Sequence, residues 1–229
     1  MHTKKRFKNP SNQLPKSEQE RLTALVQLER EALLQGYCRL AGVDEAGRGP
    51  LAGPVVAAAC LFRKPLFFPG INDSKLLTPK KRRELFEQLT SHCEVAYSIA
   101  TISPMEIDRI NILQATLKAM HEAVSNLPEK PDYLMVDGMQ LKTEIPAQKI
   151  IKGDRLSQLI AAASVIAKES RDRLMEEYDR KYPAYGFAKH KGYGTYAHRV
   201  ALTKYGPSPI HRKTFKWEKV DGVVKFSPL

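Results

Sequence analysis

Residues 42–54 read Gly-Val-Asp44-Glu45-Ala-Gly47-Arg48-Gly49-Pro-Leu-Ala-Gly-Pro: an apolar run ends in two adjacent carboxylates, and a glycine-flanked arginine follows at once. Successive side chains on a strand point to opposite faces. For Asp44 and Glu45 to serve one site the chain must therefore bend, and Gly47 and Gly49 permit a bend there. The glycines do not make a dinucleotide fingerprint. Gly53 falls one residue too late, and Pro50 lacks the N–H that a phosphate cradle would use.

The same grammar recurs at Tyr133-Leu-Met-Val-Asp137-Gly138, an apolar run ending in Asp-Gly. Short apolar runs at 40–44, 55–62, 94–102, 133–137 and 147–151 read as strands. Helices separate several of them. Thr78-Pro79 and Ser103-Pro104 place a cap and a first-turn proline at two helix starts, the second helix running to about Ser125. A further helix spans about Leu156 to Lys181, and Ser17-Glu-Gln-Glu20 fits a capping box opening an N-terminal helix that Gly36 ends. The pattern predicts an α/β domain with a mixed sheet flanked by helices, a short N-terminal helical appendage and a C-terminal helical and loop segment. The expected organisation is a basic arm at 1–16, the appendage at 17–38, the main domain at 39–216 and a tail at 217–229.

Charge narrows the partners. The chain of 229 residues carries 37 Lys and Arg against 25 Asp and Glu, a net charge of +12 that favours an anionic partner such as nucleic acid. Its longest apolar run, Val55 to Phe62, is far short of the roughly 20 residues a spanning helix needs, so no membrane is expected. The basic N-terminus has no apolar core behind it and does not read as a secretory signal, which points to the cytoplasm. Three cysteines far apart in sequence fit neither a disulfide framework nor a zinc site.

Asp44, Glu45 and Asp137 are thus candidates for one cleft, and Asp154, in Lys152-Gly153-Asp154 before the long helix, is a fourth. Asp137 alone also suits a turn before glycine, and Asp154 alone suits a helix cap. As a set they suit Mg²⁺ or Mn²⁺, which sit on a few carboxylates, water and substrate phosphate. Four acids suit two ions, one activating a water for in-line attack on phosphorus and the other offsetting charge on the leaving oxygen. No nucleophile elbow, P-loop or metalloprotease spacing competes.

These motifs, with Asn72-Asp73-Ser74-Lys75, Ile107-Asp-Arg-Ile-Asn111, Ala162-Ala-Ser164-Val-Ile-Ala-Lys168, Arg171-Asp172 and His190-Lys-Gly-Tyr193-Gly-Thr195, resemble ribonuclease HII over roughly residues 40 to 215. The resemblance implies a ribonuclease H-like sheet with Asp44, Glu45, Asp137 and Asp154 as metal-binding, catalytic carboxylates. It implies that Gly47, Arg48 and Gly49 hold a ribonucleotide by its 2′-hydroxyl and adjacent phosphate, with Tyr193 against the sugar and Lys75 as a phosphate contact. The expected activity is metal-dependent hydrolysis on the 5′ side of ribonucleotides in RNA·DNA hybrids or within duplex DNA, leaving 3′-hydroxyl and 5′-phosphate ends, by a monomer. Two alternatives are a ribonuclease HIII-like hybrid nuclease, which typically lacks the arginine of the glycine loop, and a non-catalytic basic nucleic-acid-binding protein.

Other charges admit two readings. Lys80 to Arg83 either track a nucleic-acid backbone or form a solvated face, and the arm Lys4, Lys5, Arg6, Lys8 and the tail His211, Arg212, Lys213, Lys216 would add sequence-independent affinity. Asp172 reads as an ion-pair partner. His190 reads as a hydrogen-bonding part of the loop that carries Tyr193.

Overall fold

The computed structural model describes residues 15–223. Five strands, β1 (Leu40–Ala46), β2 (Val55–Phe62), β3 (Val95–Ile102), β4 (Tyr133–Asp137) and β5 (Ala147–Ile150), form one sheet in the order β3-β2-β1-β4-β5. The β1–β2 and β2–β3 pairs are antiparallel and the β1–β4 and β4–β5 pairs parallel, so the sheet is mixed, as the sequence predicts. All five strands fall where the apolar runs place them, to within two residues.

The central strands are apolar on both faces because both faces are covered. Ala41, Val43, Val55, Ala57 and Ala59 pack with Ala115, Ala119, Met120 and Ala123 of α4 (Pro104–Ser125). On the other face Ala58 and Cys60 meet Ala161, Ala162, Val165 and Ile166 of α5 (Gln158–Lys181), together with Leu85 and Leu89 of α3 (Pro79–Ser91). Small residues let α5 approach closely. A Cβ on Gly42 would run into the backbone of Leu159 and Ile160, so the start of α5 lies directly against β1, and this contact brings the turn before α5 to the strand ends.

Helix starts follow the predicted capping chemistry, with one exception. Thr78 accepts from the Lys81 amide and Ser103 from the Glu106 amide, each with proline at the first helical position. The N-terminal helix differs from expectation. It is two helices, α1 (Lys16–Leu25) and α2 (Gln27–Leu34), broken at Val26, and it starts after Pro15 with no side-chain cap, leaving Ser17 inside the first turn. The break lets Leu22 and Leu25 of α1 join the α5 side of the core while Ala32 of α2 packs with Leu40, Met135 and Leu159. Within α4, Asn111 has φ 67°, and its side chain accepts from the Gln114 amide to restart the helix.

Lys4, Lys5, Arg6 and Lys8 lie outside the described residues. No helix among the described residues is long and apolar enough to cross a membrane.

Candidate active site

Two parallel strands deliver two acids to one place. The β1–β4 register pairs Val43 with Val136, so Asp44 and Asp137 stand at the next step. The chain does not bend at Asp44 and Glu45 as the sequence suggested. β1 stays paired to β2 through Ala46, and the turn comes at Gly47, whose φ is +97°. Glu45 stays within electrostatic reach of Asp137 even so.

Asp44 is almost wholly buried, and its Oδ1 accepts from the Glu45 amide at 2.7 Å. Burial pushes its carboxyl well above the ordinary range, and the charges of Glu45 and Asp137 push it further, against a hydrogen bond from Ser164. Ser164 is itself fixed by Ser74, Oγ to Oγ at 2.9 Å. Burial also raises Glu45, with Asp137 adding to it and Arg48 opposing it. Arg48 Nη1 lies 3.4 Å from Glu45 Oε1.

Asp154 sits on a 3₁₀ turn, Gly153–Arg155, entered through Lys152 in the left-handed region at φ 56°. The Gly153 amide donates to Asp137 Oδ1 at 2.6 Å, which ties this turn to the end of β4. Helix capping does not employ Asp154: Ser157 caps α5, accepting from the Ile160 amide at 3.2 Å. Burial, then the charges of Asp73 and Asp137, lift Asp154 to about 6.

Asp73, to which the sequence reading gave no role, is the missed member of this cluster. Burial pushes it up, but the Lys75 amide and the Arg155 guanidinium hold it below the usual carboxylate range. Its signal was present as the acid of the Asn72-Asp73-Ser74-Lys75 motif. Burial pulls Lys75 down, and Asp44, Asp73, Asp154 and Asp137 together outweigh it and hold its ammonium above the ordinary value. One lysine among four acids partly offsets their repulsion.

The glycine loop and Tyr193 are neighbours. A Cβ on Gly49 would touch the Tyr193 ring, the ring is partly exposed, and the Leu51 amide donates to Gly192 O at 2.9 Å to join the two loops.

The structure places other sequence readings differently. Arg82 is neither solvated nor free to track a backbone: it is buried, with Nη2 3.0 Å from Asp172 and Nε 3.6 Å from Glu169. Asp172 is an ion-pair partner as read, but of Arg82 and Lys168. His190 Nδ1 accepts from the Gly192 amide in the Tyr193 loop, as expected. His211 and Arg212, read as an electrostatic tail, are buried instead.

Among the described residues no three carboxylates, histidines or cysteines gather closely enough to enclose an ion by themselves. Hard cations such as Mg²⁺ take one or two carboxylates and complete their shell with water and phosphate. The donor set fits such an ion. Glu45 Oε2 is buried with no hydrogen-bond partner, and three of the four acids are raised by burial and mutual repulsion, a cost that a bound cation would remove.

The family model described as ribonuclease HII matches residues 41–218. A ribonuclease HII of Chlamydia pneumoniae is 52% identical over 199 residues, covering 87% of this chain and 93% of that protein. One of Chlamydia muridarum is 57% identical over 187 residues, covering 82% and 86%. The crystal structure of ribonuclease H2 from Pyrococcus horikoshii superposes with a TM-score of 0.63 at 30% identity, covering 78% of this chain and 94% of that one. With a family match over most of its length and relatives above half identity, the chain belongs to the ribonuclease HII family, endoribonucleases of RNA–DNA hybrids.

Proposed function

We propose that this protein hydrolyses the phosphodiester on the 5′ side of a ribonucleotide, in RNA·DNA hybrids and at single ribonucleotides within duplex DNA, leaving 3′-hydroxyl and 5′-phosphate ends. The observation that carries the reading is the convergence on Asp137. The β1–β4 register sets Asp44 beside it, and the Gly153 amide donates to its Oδ1 at 2.6 Å, which supports a reading in which acids of β1, β4 and the turn before α5 act together.

Asp44, Glu45, Asp137 and Asp154 would hold Mg²⁺ or Mn²⁺. A divalent cation there supplies charge that makes water a nucleophile at neutral pH and offsets charge on the leaving oxygen. The protein's own part is positioning. Lys75, which keeps its proton among the acids, meets the phosphate next to the scissile bond. Gly47, Arg48 and Gly49 bring backbone groups to the 2′-hydroxyl, the atom that separates RNA from DNA, and Tyr193 lies against the same sugar. With water as nucleophile no covalent intermediate forms, and the rate comes from orientation and electrostatics. Residues 39–216 would constitute the catalytic domain of a monomer, with 17–38 an appendage.

The test is cleavage of end-labelled duplexes with Mg²⁺ or Mn²⁺. A nick 5′ of a lone ribonucleotide, with all-DNA intact, supports the reading. Cleavage of hybrids alone would show ribonuclease HIII-like specificity, and binding without cleavage of any substrate would overturn the reading.

A further inference from the structure

Two arginines lie under the glycine loop, and neither has an acid for a partner. Arg171 and Arg212 are almost completely buried, and no carboxylate of the described residues comes within ion-pair distance of either. Buried cations of this kind are costly unless something compensates them. Here backbone carbonyls do so. Arg171 donates to Pro54 O at 2.9 Å, Lys191 O at 2.9 Å and Ala52 O at 3.1 Å. Arg212 donates to Gly53 O at 3.0 Å, Arg48 O at 2.9 Å and Gly47 O at 2.5 Å.

All these carbonyls belong to the two loops of the ribonucleotide site. In a planar trans peptide the C=O of one residue and the N–H of the next point in opposite directions. With the carbonyls of Gly47 and Arg48 drawn inward onto Arg212, the amides of Arg48 and Gly49 face away from it. Among the described residues neither amide donates to a protein acceptor. The approach is close enough to dictate sequence: a Cβ on Gly47 or Gly53, both at positive φ, would collide with the Arg171 side chain or with Met175 beside it.

We propose that Arg171 and Arg212 are positioning residues for ribonucleotide recognition, fixing the peptide planes at 47–49 so that the Arg48 and Gly49 amides meet the 2′-hydroxyl and its phosphate. Their charge, unpaired by any acid, lies on the protein side of the loop, where an anionic phosphate completes the balance. Arg171 also grips Lys191 O, so one guanidinium sets both the glycine loop and the loop of Tyr193. Burial pulls Arg171 to about 10 and Arg212 to about 9, and both remain cationic at neutral pH.

This inference rests on the proposed substrate reading, and the test separates the two. Binding in EDTA is compared for a DNA duplex with one ribonucleotide and the same duplex entirely of DNA, using wild type, Arg171→Lys and Arg212→Lys. Lysine keeps the charge and loses the planar fork. The expected result is a ribonucleotide preference in wild type that drops about tenfold in each variant, with all-DNA affinity lowered far less, because all-DNA has the phosphate but not the 2′-hydroxyl for the loop to hold. In turnover KM rises while kcat is largely kept. A preference unchanged in folded variants overturns the inference alone, and wild type without a preference overturns the reading and the inference together. Should the lysine variants fail to fold, wild type decides: the buried arginine Nε–H resonances shift on adding the ribonucleotide duplex and not the all-DNA duplex, and no shift with either overturns the proposal.

Discussion

Glu29 Oε1 accepts a 2.7 Å hydrogen bond from Ser157 Oγ and a 3.1 Å bond from the Leu159 amide, so a helix at the N-terminus braces the start of α5. The brace continues toward the acids. The Ser157 amide donates to Gly153 O at 2.8 Å, and the Gly153 amide donates to Asp137.

Glu29→Ala strands a buried hydroxyl and a helix-start amide, and is expected to cost about 1–3 kcal/mol of stability. Burial holds the Glu29 carboxyl above its ordinary range. A raised acid favours folding most at low pH and loses that contribution as pH rises through its folded value. Glu29→Gln should therefore gain on wild type in melting temperature as pH rises from the ordinary carboxylate range through the raised folded value, and parallel profiles would contradict this.

Asp44→Asn should give a more stable protein. Asp44 is raised by burial and by two like charges, so the neutral isostere removes a cost of about 1 kcal/mol or more in the absence of metal. Urea denaturation at neutral pH in EDTA checks the sign; a less stable variant would show that Asp44 is compensated in some other way.

Mg²⁺ or Mn²⁺ should raise the melting temperature of wild type by mass action, and less so that of Asp44→Asn. The gain should grow as pH rises through about 6, where Asp154 gives up its proton, because carboxylate ligands must be ionised. A gain independent of pH across that range would separate Asp154 from the ion.

His198 Nε2 lies 2.9 Å from His211 Nε2; His211 Nδ1 accepts from the Ser208 amide and His198 Nδ1 donates to Tyr193 O, so His211 donates to His198 across this contact with both rings neutral. Burial lowers both from 6.5 to about 4. A depressed histidine is neutral in the fold and takes up its proton on unfolding, so stability is complete above 6.5 and falls as pH drops toward 4. The loss by about pH 5 should be on the order of 2 kcal/mol for each ring, and His211→Gln should remove about half of it.

The strands were legible because their signals are local: a short apolar run bounded by polar or turn residues marks a strand wherever it occurs, and Asp44 and Asp137 each close such a run, whereas Asp154 carried no signal beyond its place before the long helix. Arg82, His211 and Arg212 misled because cationic residues in sequence suggest solvent or a polyanion. Their partners are a distant pair of acids, another histidine and backbone carbonyls more than a hundred residues away. Carbonyls leave no trace in composition. The break at Val26 was hidden for a similar reason, since only the two sides of the finished core require it.

The most direct test is cleavage of a labelled DNA duplex containing one ribonucleotide by wild type and Asp44→Asn, with Mg²⁺ or Mn²⁺ and an all-DNA control. The expected result is a metal-dependent nick 5′ of the ribonucleotide, no cut in all-DNA and a loss of at least about 100-fold in the variant. Metal-independent cleavage, or a variant as active as wild type, would contradict it.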